Sequence, residues 1–190
     1  MKREDVAGGL LFASAAMAAI YWLSKKAEGG GRMQVFTTKR GFVEAMNEDA
    51  RKVGQEFQIP PALILTQAAH ESAFGASQLA QKAFNLFGFT GESWKRQGKM
   101  VVEMPTREFI KGVWVKLTRP FRAYTTTLDS MRDYARLLTT QPRYSKVIEY
   151  ARAGNLQRAF DELGRSGYAT DPNYSAKLTG VYQTVKSFTV

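Results

Sequence analysis

Whatever chemistry this chain performs falls to carboxylates, tyrosines, lysines and serines, because it has no cysteine and a single histidine, His70. That composition removes a thiolate metal site and a disulfide framework, and one imidazole is too few for a zinc enzyme. No metal or cofactor is expected. Among the carboxylates Glu71 stands apart, since it closes the apolar stretch that begins at Leu63. Leu63, Ile64, Gln67, Ala68 and Glu71 recur at helical spacing, which puts the carboxyl on the stripe of the core residues. Partial burial disfavours the charged form and suits a general acid working near neutral pH. The structural alternative is a helix-terminal glutamate that points into water.

The elements that must hold Glu71 can be read from the pattern around it. Phe42, Val43, Met46, Ala50, Val53 and Phe57 predict an amphipathic helix that stops before Pro60-Pro61. Pro61 opens the helix that carries Glu71, and Gly75 is placed to break it. A short helical piece after Ser77 leads to a turn at Asn85-Leu86-Phe87-Gly88. Residues 99–104 and 113–117 are β-prone around Lys111-Gly112 and predict a hairpin. Helical faces then recur at Leu128, Met131, Tyr134, Ala135 and Leu138, at Val147, Ile148 and Ala151, and at Leu156, Ala159, Phe160 and Leu163, the last ending at Gly164. Asp171-Pro172 predicts the cap and first position of a final helix through Tyr174, Leu178, Val181, Tyr182 and Val185. The expected class is α+β, a mostly helical domain with a small β lobe.

Lys and Arg total 27 against 17 Asp and Glu, a net charge of +10 that favours anionic partners. The excess concentrates between Lys95 and Arg122, where Lys95, Arg96, Lys99, Arg107, Lys111, Lys116, Arg119 and Arg122 face only Glu103 and Glu108. Residues 6–23 form an uncharged apolar run flanked by Lys2-Arg3 and Lys25-Lys26, with Tyr21 and Trp22 at an interfacial position. The run reads as a single-pass transmembrane anchor in contact with lipid, ahead of a cleaved signal peptide with Ala16-Met17-Ala18 as its processing site. Glu28-Gly29-Gly30-Gly31-Arg32 follows as a flexible linker.

Several separated segments together resemble glycoside hydrolase family 73, the bacterial glucosaminidases that cleave peptidoglycan, and within it the hydrolase domain of flagellar rod-assembly muramidases. They are Gln67-Ala68-Ala69-His70-Glu71-Ser72-Ala73-Phe74-Gly75, Asn85-Leu86-Phe87-Gly88, Phe121-Arg122-Ala123-Tyr124, Pro142-Arg143-Tyr144 and the run from Gly167 to Leu178. The resemblance implies a lysozyme-like fold over residues 33–190, behind an anchor and linker at 1–32, and hydrolysis of β-1,4 bonds in the peptidoglycan glycan strand. It also implies that Glu71 is the general acid. The family's second carboxylate sits in a Thr-x-Glu context followed four residues later by Gly, which Thr106-Arg107-Glu108 and Gly112 match, with Glu103 as the fallback. Tyr168 matches a tyrosine near the catalytic centre, while Asn85, Phe87, Tyr124 and Tyr174 match positions around the substrate cleft. His70 departs from the apolar residue usual before the acid and is expected to be structural.

The residues themselves support the same pair: cations around Glu108 favour its ionised form, and the apolar stripe favours protonation of Glu71. Glu71 would then protonate the glycosidic oxygen while Glu108 activates water or stabilises an oxocarbenium-like transition state. An ordinary surface ion pair is the plain alternative for Glu108, and a core aromatic for Tyr168. The short front end fits a membrane-tethered wall hydrolase, in a bacterial envelope or a phage particle, better than a flagellar one. Two other readings compete. A lytic transglycosylase uses one Glu in a similar Glu-Ser setting, but Asn85-Leu86-Phe87-Gly88 replaces the Gly-Leu-Met-Gln segment usual in that group. A non-enzymatic adaptor would bind nucleic acid or wall polymer through residues 95–122 with Trp94 and Trp114. Nucleic acid is not the expected partner, because peptidoglycan carboxylates account for the charge equally well.

Overall fold

The computed structural model of the chain describes residues 32–110 and 113–189, with the backbone alone at 107–110 and 114. The anchor at 6–23, most of the linker and the Lys111-Gly112 hairpin tip lie outside the described residues. Among the described residues no helix is long and apolar enough to cross a membrane.

Helix α1 (Lys39–Phe57) starts where the Thr38 side chain accepts the Gly41 amide, and it buries Phe42, Val43, Met46, Ala50 and Val53. Helix α2 (Pro61–Glu71) begins on Pro61, whose missing N–H costs nothing at a first position. Every residue from Leu63 to Ala69 is buried, so α2 is enclosed on all faces rather than along the single stripe its spacing predicts. It is the central helix, packed against α1 and, on other sides, against α5 (Thr127–Thr140) and α8 (Tyr174–Lys186).

Beyond α2 come α3 (Gln78–Ala83) and a short α4 (Glu92–Arg96), which the sequence pattern did not predict. Strands β1 (Val101–Ile110) and β2 (Val113–Arg122) pair antiparallel from Val101↔Arg122 to Ile110↔Val113 and run further than the β-prone stretches suggest. A 3-10 turn (Pro142–Tyr144), α6 (Ser145–Arg152) and α7 (Leu156–Arg165) complete the helical body. Helix α7 passes Gly164 by one residue. Helix α8 starts at Tyr174, later than expected. Asp171 accepts the Asn173 amide with its carboxylate and the Tyr174 amide with its carbonyl, so Asp171 and Pro172 form a turn before the helix rather than its cap and first residue.

Candidate active site

Glu71 is the last residue of α2, and the chain turns sharply behind it. Ala73, Phe74 and Gly75 all take positive φ, at 51°, 54° and 78°. Ser72, fully buried, pins this turn: its hydroxyl donates to the Ala68 carbonyl at 2.5 Å and accepts the Gly75 amide at 2.8 Å. A Cβ on Gly75 would sit 2.9 Å from Met33 Cε and Phe42 Cδ2, so only glycine fits both the conformation and the space. The helix therefore ends at Glu71, four residues before the expected breaker, and the half-buried carboxyl emerges from a rigid corner.

That carboxyl opens on a cleft of about 440 Å³ lined by Phe87, Gly88, Phe89, Thr90, Arg122, Leu137, Arg143, Tyr144, Tyr168 and Ala169. A larger hollow of about 520 Å³ between Leu138 and Arg152 has Glu149 as its only carboxylate, and its Arg152 is already bonded to the carbonyls of Phe57 and Gln58. Of these two hollows, the first brings a carboxyl from a buried helix together with aromatic rings and cations.

Tyrosines crowd around Glu71. The Tyr174 hydroxyl, buried on α8, lies 2.5 Å from Glu71 Oε1 and 3.0 Å from Gln67 Oε1. The Tyr168 ring stacks on Tyr174 at 5.9 Å, and its own hydroxyl is buried without a hydrogen-bond partner among the described residues. Burial holds Tyr168 and Tyr174 in the phenol form, far above the usual phenol range, and the neighbouring Glu71 charge adds to the effect. His70 contributes an edge-on ring contact to Tyr174 at 5.4 Å and is not among the residues lining the cleft.

The other expected cleft residues divide. Phe87 lines the cleft, stacked on Tyr134 at a centroid distance of 4.3 Å. Asn85 is 1% exposed and its amide is spent on backbone: Nδ2 donates to the carbonyls of Phe89 and Arg122, and Oδ1 accepts the Phe89 amide. Asn85 thus ties the cleft wall to the end of β2 and presents no free group to a ligand. Tyr124 is 4% exposed and donates to Asp133 Oδ2 at 2.7 Å, beside the Arg122 guanidinium at 2.6 Å from the same oxygen, so it too braces the cleft from behind.

The two candidates for a second carboxylate differ by five positions on β1, which puts them on opposite faces of the hairpin. Position 108 pairs with Val115 and shares a face with Met104 and Thr106. Glu103 shares a face with Arg122 and is ion-paired to Lys95 at 2.6 Å. The Glu108 side chain lies outside the described residues. Arg122, Arg143, Phe89, Tyr144 and the Gln67–Tyr174 pairing are cleft features that no local pattern singled out, though Arg122, Arg143 and Tyr144 stood inside the quoted motifs. Among the described residues no group of three or more His, Asp or Glu could hold a metal ion.

A family model described as glucosaminidase, mannosyl-glycoprotein endo-beta-N-acetylglucosaminidase, matches residues 47–187. The peptidoglycan hydrolase FlgJ of Salmonella typhimurium is 36% identical over 153 residues, covering 78% of this chain and 46% of that protein. The exo-glucosaminidase LytG of Bacillus subtilis is 33% identical over 166 residues, covering 85% and 56%. The chain thus spans about half the length of the curated relatives it matches. Among solved structures, a C-terminally truncated glycoside hydrolase domain of Salmonella typhimurium FlgJ superposes with a TM-score of 0.64 at 34% identity, covering 79% of this chain and 99% of that one. A peptidoglycan hydrolase from Sphingomonas sp. A1 superposes with a TM-score of 0.61 at 32% identity, covering 78% and 92%. The helical body with its two-stranded sheet is the lysozyme-like fold of these domains.

Proposed function

The chain belongs to the glucosaminidase family, glycoside hydrolase family 73, and from that membership we propose that it is a peptidoglycan hydrolase that cleaves β-1,4 bonds of the glycan strand as an endo-β-N-acetylglucosaminidase. The observation that carries the reading is the position of Glu71: a carboxyl at the end of a fully enclosed helix, held by Tyr174, opening on a cleft with aromatic walls and two arginines. Aromatic faces suit the apolar faces of sugar rings, and Arg122 and Arg143 suit an acidic wall polymer. Glu71 protonates the glycosidic oxygen as the bond to the leaving sugar breaks, and the second carboxylate activates water or stabilises the oxocarbenium-like transition state. To the Tyr168 hydroxyl, which is buried at the cleft without a hydrogen-bond partner among the described residues, we assign the holding of the substrate N-acetyl group or that water.

We assign the second carboxylate to Glu108 on its Thr106-Arg107-Glu108 setting. One observation favours Glu103 as a second reading, since it shares its hairpin face with Arg122, which lines the cleft. Against it, Glu103 is held by Lys95. Glu71→Gln should abolish clearing of purified peptidoglycan in a zymogram while binding to the wall persists, and Glu108→Gln should cut turnover far more than Glu103→Gln. Digested glycan should carry reducing N-acetylglucosamine ends. Anhydromuramic ends would instead identify a lytic transglycosylase, and undiminished clearing by E71Q would refute the catalytic reading.

The adaptor reading is weaker, because part of the basic segment is engaged within the fold. Lys95 pairs with Glu103, Arg119 with Glu92 and Arg122 with Asp133, while Trp94 packs edge-on against Tyr124 beneath Lys99 and Arg122. For location, the apolar run at 6–23 supports a single-pass tether with the hydrolase domain facing the wall, in a bacterial envelope or a phage particle. Carbonate-resistant membrane fractionation that is lost on deleting residues 6–23 tests it.

A further inference from the structure

Tyr174 serves two oxygens with one proton. Its hydroxyl lies 2.5 Å from Glu71 Oε1 and 3.0 Å from Gln67 Oε1, yet a phenol has a single O–H to give. Gln67 stands one helical turn before Glu71 on α2, is 0% exposed, and its Nε2 has no hydrogen-bond partner among the described residues. A fully buried amide with one end against a tyrosine and the other unpaired is costly unless its hydrogen bonding serves the site.

Turning the Gln67 amide by 180° about its last bond resolves both problems, and because its two ends are nearly the same size the turn requires no repacking. Nε2 then donates to the Tyr174 oxygen, and the single Tyr174 O–H is committed to Glu71 Oε1. Glu71 Oε2 is left to carry the proton that passes to the leaving oxygen and is later regained. Because Oε1 accepts from Tyr174 whether or not Oε2 is protonated, this one arrangement serves the acid in both states of its cycle. With the amide oxygen facing Tyr174 instead, Gln67 and Glu71 would compete for the one phenol proton.

We propose that Gln67 is a positioning residue for the acid: through Tyr174, its buried amide completes the hydrogen-bond chain to Glu71 in both the protonated and the ionised state. The inference rests on Glu71 being the general acid. Gln67 touches no substrate and acts only by fixing the direction of the Tyr174 hydroxyl.

The test is a double-mutant cycle in the full chain, with soluble glycan fragments of purified peptidoglycan as substrate. Gln67→Met keeps the length of the side chain and removes both hydrogen-bonding ends. It should lower kcat roughly 10-fold, with KM within about twofold, as expected for a misdirected catalytic group. The alkaline limb of its pH–rate profile should move, and in the Tyr174→Phe background it should cause no further loss. Multiplying losses in Q67M/Y174F, or a Q67M that melts lower but keeps wild-type kcat and pH profile, overturns the proposal. If Q67M does not fold, Gln67→Glu carries the test: its neutral head should sustain turnover at low pH, and its charged head beside Glu71 should suppress it as pH rises. A wild-type profile in Q67E also overturns the proposal. E71Q in parallel separates the two failures: active E71Q sinks the reading of Glu71, whereas dead E71Q with multiplying Q67M and Y174F losses sinks only the relay.

Discussion

Replacing Asn85 by alanine distinguishes a residue that binds substrate from one that holds the cleft together. The amide is 1% exposed and makes three hydrogen bonds, to Phe89 O at 2.9 Å, to Arg122 O at 2.8 Å and from Phe89 N at 3.1 Å. Alanine removes the partner of the Arg122 carbonyl and of the Phe89 N–H, while the Phe89 carbonyl keeps only the Arg122 amide. At about 1 kcal/mol for each lost bond, and more where water cannot enter, the cost is roughly 3–5 kcal/mol. For a chain of this size that corresponds to a Tm lower by about 6–20 °C. Asn85→Asp removes both donors and turns a carboxylate toward two carbonyl oxygens, so its folded pKa is raised. The stability of that variant is then greatest below the unfolded value of about 4 and is lost as pH rises from there through the raised folded value. Thermal melts at pH 4 and pH 7, with kcat and KM on soluble glycan, measure all of this. An N85A protein that melts with the wild type while its KM rises would refute the scaffold role and return the amide to the substrate.

Two further outcomes test the packing around the site. Tyr124, Tyr134, Tyr168 and Tyr174 are held as phenols mainly by burial, so their contribution is complete below the unfolded value of about 10 and is lost as pH rises above it, at about 1.4 kcal/mol per pH unit for each. Tyrosinate absorbance and loss of helical circular dichroism should therefore appear together within about two units above pH 10; ionisation of all the tyrosines near pH 10 with the helices intact would contradict this. Gly75→Ala meets Met33 and Phe42 at 2.9 Å with φ at 78°, whereas Gly154→Ala has φ at 76° and nothing within 4 Å, so the first should cost about 2–4 kcal/mol and the second about 1 kcal/mol in urea denaturation. Equal costs would place the whole effect in backbone strain.

Much of the fold is legible in the chain because helical periodicity is local. The phenylalanine and valine spacing of α1, the proline start of α2 and the position of Glu71 all follow from neighbours within a few turns. Helix α4 does not, since five residues are too few to show a period. The cleft is harder to read for a different reason. Tyr174 reaches Glu71 across 103 positions because α8 packs on α2, and Asn85 reaches the Arg122 carbonyl across 37. Family motifs brought those residues into view without saying which of them face a ligand. Charge is only partly legible for the same reason: the basic excess at 95–122 favours an anionic partner, but among the described residues three of its cations are paired with Glu92, Glu103 and Asp133.

The junction between the lobes explains why polar residues sit where a core might be expected. Among the described residues, none of β1 or β2 belongs to the apolar core of the helical body. The hairpin is instead fastened at its base by hydrogen bonds: the Asn85 amide, Gly91 N to Pro120 O at 2.7 Å, Arg122 N to Phe89 O at 2.9 Å, and Asp133 receiving both Arg122 and Tyr124. Apolar contact is non-directional and would let the lobes slide, whereas hydrogen bonds fix angle as well as distance. The proposed acid on the helical lobe and the proposed second carboxylate on the hairpin need that angle held, since small misplacements of reacting groups cost large factors in rate. Substitutions at this junction should therefore reduce turnover by more than their loss of stability accounts for, while apolar substitutions of equal cost on the far side of α1 should not.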